Sequence, residues 1–245
     1  MRPGTVEPFG LLQNALEVYR KHFGVLFPVS LIVGLIQGIL LLGLGSDDPT
    51  KLTTGDMIAS TLGLLPTLVF LAFTVELLRD VRAGEEVRPT GELLRRVLSI
   101  LLPLLVIGVV ASTVVGIGLI LLVVPGLFLM TIWAVVVQVY VIERGGIGAS
   151  FDRSRALVRG YGWPVFGTAL LVVLISLLGV IIGAIVSIDP TTIAGSFVQL
   201  VITSLVTPAT MLMMGLLYFR LVDLHDTVAA EPQRDAAHDA FGVER

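Results

Sequence analysis

The chain has no cysteine, few charges and few histidines, and each scarcity removes a class of function. Without cysteine there are no disulfides, thiolate metal sites or cysteine nucleophiles, and the redox compartment is left open. The three histidines, His22, His225 and His238, lie outside the apolar runs and too far apart to suggest a metal cluster. Charged residues make up 14% of the chain, against roughly 25% in soluble domains. The net charge is −3, and the only basic clusters are short ones beside apolar segments, so nothing points to nucleic acid. A glycine-rich phosphate loop, a metal-ligand cluster and a nucleophile–base pair are all missing, which argues against an enzyme and against any cofactor. No carboxylate sits deep within an apolar run, which also argues against a proton- or sodium-coupled carrier.

What the chain has in abundance is apolar sequence. Its 245 residues are 55% hydrophobic, with a mean hydropathy of +0.96. A soluble domain of this length has too little interior to hide that much, so the bilayer must solvate most of it. The opening MRPGTVEPFG lacks the apolar core of a cleavable signal, and the first long apolar run, from near Phe23, is long enough to remain as a span.

Spacing then divides the chain. Pro8 to His22 predicts a short amphipathic helix, with Phe9, Leu12, Leu16, Tyr19 and Phe23 on one face and Gln13, Asn14, Glu17, Arg20 and Lys21 on the other. Span 1 follows over Gly24–Gly45 and carries the small-residue pair Gly34 and Gly38. A polar loop, Ser46 to Gly55, leads to span 2 at Met57–Leu78, kinked or restarted at Pro66. Glu92 to Leu98 predicts a second amphipathic stretch. No charge occurs between Val97 and Ile142, which suits two spans joined at a turn for which Pro125-Gly126 is the natural candidate. That placement makes span 3 over-long and span 4 short. It leaves open whether 116–126 is regular helix or a piece bent at Gly116 and Gly118. Span 5 begins at Trp163-Pro164, Asp189 to Thr192 forms a turn, and span 6 runs from about Phe197 to Phe219 with a kink at Pro208.

The stretch from Val124 to Gly167 organises the rest: a turn, a span, the charged pair Glu143-Arg144, three glycines, a basic amphipathic helix over Phe151–Arg159, and a new span. A similar plan occurs three times, with an amphipathic helix, a span with proline near its start (Pro28, Pro103, Pro164), a turn, and a span ending in charge. The fold class expected is all-α integral membrane: six transmembrane helices as three hairpins, each preceded by a short cytoplasmic-side amphipathic helix. One domain covers 1–225, with modules at about 8–79, 90–142 and 147–222, and 226–245 is a cytoplasmic tail without structure. Fifteen of the sixteen lysines and arginines fall on one side of this topology and only Lys51 on the other, which sets both termini in the cytoplasm.

The residues VPGLFL, Trp133, Glu143, Arg153-Ser154, Leu157 to Gly160, Trp163 and Phe166-Gly167 carry a resemblance to the membrane domain of glycerophosphoryl diester phosphodiesterases and its stand-alone relatives. FGLLQNALEVYRKHFG at the start and Leu217 to Arg220 near the end extend it over most of the chain. In those enzymes catalysis belongs to a separate barrel, using histidines and carboxylates around a metal. This chain has neither the barrel nor the residues, so the resemblance implies a membrane module without that activity.

Candidate site residues follow from the third elbow. Glu143 ends span 4 and is expected to pair with Arg153, or failing that with Arg159. Ser154, Arg159 and Trp163 complete a structural or lipid-facing cluster, and Pro125 and Gly126 mark the turn. Basic elbows attract anionic headgroups at the cytoplasmic face, at roughly 1 kcal/mol per cation. The reading is a non-enzymatic lipid-interacting or scaffold module of a bacterial cytoplasmic membrane, with membrane lipids as partners and a homo-oligomer or membrane partner left open. The alternative is a permease or exporter of a small amphipathic or lipid-like molecule. Gln37, Gln138 and Gln199 would line its path, unless they simply bond neighbouring helices.

Overall fold

The structure, a computed structural model, describes residues 6–44, 53–187 and 192–240. Among the described residues it is helical, with no strand. In chain order the helices are α1 (Pro8–Lys21), α2 (Phe23–Leu44), α3 (Thr54–Ala83), α4 (Thr90–Leu98), α5 (Leu101–Leu121), α6 (Val123–Ile132), α7 (Val136–Glu143), α8 (Ile147–Val158), α9 (Gly162–Val186) and α10 (Ile193–Ala240). Six stretches are long and apolar enough to cross a bilayer: α2, α3, α5, the α6–α7 pair, α9 and the first part of α10. The expected loop at Ser46–Gly55 and turn at Asp189–Thr192 fall mostly outside the described residues.

These six are of two kinds. Half of the apolar window is buried in α3 and in α6–α7, and 44% in α10, against 17% or less in α2, α5 and α9. The chain thus alternates outer helix, inner helix, three times over. The inner ones supply the core, with Phe70, Phe73 and Leu77 of α3 packed in one cluster with Val139 of α7 and Leu212 and Leu217 of α10. The outer ones display residues such as Leu174, Leu178 and Ile185, an apolar exterior that suits lipid rather than water.

Glycine governs the closest approaches. A Cβ at Gly179 would lie 3.0 Å from Val206, and one at Gly183 would collide with the Gln199 carboxamide, so α9 and α10 pack at near-backbone distance. Gly34 meets Leu200 in the same way, while its partner in the expected pair, Gly38, has nothing within 4 Å.

The turn expected at Pro125-Gly126 is not there. The chain breaks at Leu122 (φ −156°, ψ 120°), and Pro125 and Gly126 sit in the first turn of α6. Proline fits there because early helical N–H groups have no intrahelical acceptor. Gly126 is used for packing: a Cβ would sit 2.5 Å from the Leu119 nitrogen of α5. Gly116 and Gly118 do not break α5, and spans 3 and 4 come out at 21 residues each. Pro66 and Pro28 likewise lie inside continuous helices. At the C-terminus, residues 226–240 continue α10 rather than forming a tail without structure. Alanines at 229, 230, 236, 237 and 240 supply the helix propensity for this.

Helix α1 docks on the bundle by a face that shares Leu12 and Tyr19 with the expected one but is turned away from Phe9 and Leu16. Leu11, Ala15 and Tyr19 are buried, whereas Phe9 and Leu16 of the expected apolar face are 72% and 42% exposed. The helix therefore has two apolar sides, one turned to protein and one turned away from it.

The inner helices are tied together at the end where they carry charge. Arg82 of α3 donates to Asp223 of α10 at 2.9 Å, and the Tyr218 hydroxyl of α10 donates to Glu143 of α7 at 3.2 Å. Arg144, just past α7, donates to Glu76 of α3 at 2.7 Å. Each inner helix thus reaches the carboxylate of another, and the three links close into a ring.

Candidate functional site

The third elbow is built from a fault in a helix. Between α6 and α7 the bonding tightens, and the Val136 N–H goes to the Trp133 carbonyl rather than to Ile132. The Ile132 carbonyl, deprived of its helical donor, accepts instead from the Ser154 hydroxyl of α8 at 2.9 Å. Ser154 is fully buried, which makes this bond the anchor of α8. Trp133 adds an edge contact to Phe151, with ring centroids 5.0 Å apart, and Leu157 and Val158 bury the same face.

Glu143 and Arg153 pair as expected, Arg153 Nε donating to Glu143 Oε1 at 3.1 Å, with both side chains more than a third exposed. Glu143 thus joins α8 to the ring through one carboxylate. After α8, Gly160 takes φ +90°, a conformation that favours glycine, and α9 begins at Gly162.

These joints leave a crevice of about 800 Å³ between α6, α8 and α9. Val124, Leu127 and Phe128 form one wall and Phe166 the other, while Arg155, Arg159 and Trp163 also line it. Trp163 is 84% exposed, and both arginines are exposed. No carboxylate lines the crevice. Its one hydroxyl, on Thr131, donates to the Leu127 carbonyl of its own helix. The arrangement is a largely apolar crevice whose lining also includes two guanidinium groups and an indole.

Of the residues singled out from sequence, Arg159 and Trp163 line this crevice and Ser154 holds α8 over it. Glu143 and Arg153 tie α8 to the bundle and do not line it. Gly126 fixes α6 against α5 from behind. Arg155 was not singled out, although it is the basic residue of the last turn of α8, one turn before Arg159.

A second charged centre was also missed. Glu76 is fully buried and accepts from Arg144 at 2.7 Å and from Arg88 at 3.3 Å. Asp80, 3% exposed, is held by Arg88 through its guanidinium, with Nε at 2.9 and 3.0 Å, and through its backbone N–H at 3.2 Å. Those hydrogen bonds from Arg88 to Asp80, with the charge of Glu76 beyond, push the Arg88 guanidinium above its ordinary pKa. Arg144 reaches Glu76 from a left-handed backbone (φ 53°), the only such non-glycine residue among those described, a conformation that costs about 1–2 kcal/mol. The signal was Glu76 and Asp80 four apart at the end of an apolar run.

The in-span glutamines are taken up separately. Gln37 donates to Thr67 at 2.5 Å and to the Gly63 carbonyl at 3.2 Å, joining α2 to α3, and Gln199 lies against Gly183. Gln138 is buried with its Oε1 unpartnered. A smaller cavity of about 320 Å³ lies between α5, α6 and α9, lined mainly by apolar residues such as Val115, Met130 and Val172. No group of histidines and carboxylates suited to a metal occurs among the described residues. No family model matches the chain, and no curated protein or solved structure matches it.

Proposed function

We propose that this multi-span helical membrane protein is a non-enzymatic lipid-interacting module, seated in a cytoplasmic membrane with both termini inside. The observation that carries the reading is the crevice between α6, α8 and α9, whose lining is largely apolar and includes Arg155 and Arg159. The residues behind the resemblance to the phosphodiesterase membrane domain, Leu127, Phe128, Arg159, Trp163 and Phe166 among them, line this same crevice. That coincidence favours a shared lipid-holding role over a shared catalytic one. The ring of inner helices supports a rigid body around it rather than a moving gate. A permease would need a continuous polar path, whereas Gln37 and Gln199 lie in two separate helix contacts.

Native mass spectrometry of the purified chain tests the reading: lipid should remain bound through mild detergent exchange. A folded, monodisperse protein that emerges free of lipid would overturn it. The orientation has its own test, helped by the absence of native cysteine. Thr50→Cys and Thr191→Cys should label from outside intact cells, and Asp152→Cys only after permeabilisation. Ser150 is unsuitable as the inside reporter because it is 1% exposed and would stay silent on either side.

A further inference from the structure

We infer that the crevice selects a lipid whose headgroup is a phosphate with net negative charge, the phosphate set between Arg155 and Arg159 and an acyl chain laid along α6 and α9. The inference rests on the lipid-binding reading above and specifies its ligand.

Charge complementarity selects the headgroup. Arg155 stands in the last turn of α8 and Arg159 caps that helix, both line the crevice, and neither has an ion-pair partner among the described residues. Guanidinium groups bind phosphate oxygens in a fork geometry, often two bonds at a time. A zwitterionic headgroup would bring an ammonium to a border with two cations and no carboxylate to receive it. Each arginine near an anionic headgroup gives roughly a fivefold preference.

The apolar lining of the crevice selects hydrocarbon. Leu127, Phe128 and Phe166 line it, and the Thr131 hydroxyl is already committed to the Leu127 carbonyl. A free phosphate would satisfy the arginines and leave that apolar wall uncovered. The volume of about 800 Å³ lies within the ~300–1,000 Å³ usual for small-molecule sites, enough for one lipid's headgroup and part of its chains.

Trp163 on the border provides the readout. The chain has two tryptophans, so Trp133→Phe leaves Trp163 as the sole emitter and keeps an aromatic ring against Phe151. The protein is placed in phosphatidylcholine bilayers containing a minor fraction of brominated lipid, either phosphatidylglycerol or phosphatidylcholine. Brominated phosphatidylglycerol should quench Trp163 several-fold beyond its mole fraction, and brominated phosphatidylcholine only in proportion to it. The excess should vanish in R155Q/R159Q, partly return in R155K/R159K, and persist in R95Q, which removes an exposed arginine of another elbow. Added inorganic phosphate should leave the excess unchanged. Relief by inorganic phosphate, or an equal excess with a brominated fatty acid, would overturn the phospholipid assignment. Equal quenching by the two phospholipids would overturn headgroup selection while lipid binding stands. Loss of all lipid in native mass spectrometry would bring down the underlying reading instead. Should Trp133→Phe fail to fold, competition of the two phospholipids for the unsubstituted tryptophan pair and its R155Q/R159Q variant, read by native mass spectrometry, decides the same question.

Discussion

The elbow between α3 and α5 carries Arg79, Arg82, Arg88, Arg95 and Arg96, and the elbow between α7 and α9 carries Arg144, Arg153, Arg155 and Arg159. In the first, Arg88 serves Asp80 and Glu76, Arg82 serves Asp223, and Arg96 lies 3.5 Å from Glu92. In the second, Arg144 and Arg153 are likewise committed to Glu76 and Glu143, while Arg155 in the last turn of α8 and Arg159 at its cap have no ion pair among the described residues. Every one of these cations counts toward orientation, because the positive-inside rule counts cations and ignores their partners. They differ in the local supply of acid. Where carboxylates stand at matching positions, arginine becomes a structural tie; where they are missing, the same residue is left available to something outside the chain.

The sharpest way to break this contrast is to remove the acid from the first elbow. Glu76→Ala would strand Arg144 beside a fully buried site and leave Arg88 on Asp80 alone. The loss should fall at the low end of the ~3–5 kcal/mol seen when a buried pair is broken, because Arg144 is 35% exposed. The thermal midpoint in detergent is the measurement, and a change of under a degree would deny the pair its structural role. R155Q/R159Q, by contrast, should shift stability by no more than ~0.5 kcal/mol, as surface changes usually do, while altering lipid retention.

The next largest effect should come from Gly126→Val. With backbone 2.5 Å from its Cβ, it should cost about 1–3 kcal/mol by overpacking. Because α6 is a wall of the crevice, lipid retention should weaken with it. Retention unchanged at lowered stability would uncouple the wall from the joint behind it.

Glu143 and Arg153 stand between the two regimes, a tie that is more than a third exposed on both sides. Their coupling in a cycle of Glu143→Gln and Arg153→Gln should be about 0–1 kcal/mol, with the double mutant losing less than the sum. Strict additivity would place Arg153 with Arg155 and Arg159 as an uncommitted cation.

The smallest effect belongs to the junction of α1 and α2. Burial first, then the charge of Lys21, lowers the His22 pKa from its ordinary 6.5. The folded state therefore binds fewer protons than the unfolded one. Stability from this group is complete above pH 6.5 and declines as pH falls from there through the folded value. A melt series from neutral to acid should show a shallow decline that His22→Gln flattens, and an unchanged slope would remove His22 from the account.

Much of this was legible in the sequence because its signals are local. Apolar length gave the spans, and the glycine link at 145–148 pointed to Glu143 meeting Arg153. The glutamine on span 1 followed the ordinary expectation of bonding its neighbour. What escaped needed knowledge of which helices are neighbours. Pro125-Gly126 reads as a turn by itself, and only the nearness of Leu119 shows that the glycine is spent on packing. Glu76 looks like a charge closing a span, as Glu143 does, and its burial depends on Arg144 arriving from sixty-eight residues away. Arg155 was overlooked for a similar reason, since its importance lies in a partner it does not have.

The ring of inner helices also imposes an order on biogenesis. Arg144 can join Glu76 once four spans have left the ribosome, but Arg82 and Glu143 must wait for Asp223 and Tyr218, both on the last helix. Until that helix is inserted, a half-made chain offers the membrane a guanidinium and a carboxylate with no ring partners. A nascent protein stalled or truncated before residue 218 therefore lacks two of the three links that close the ring.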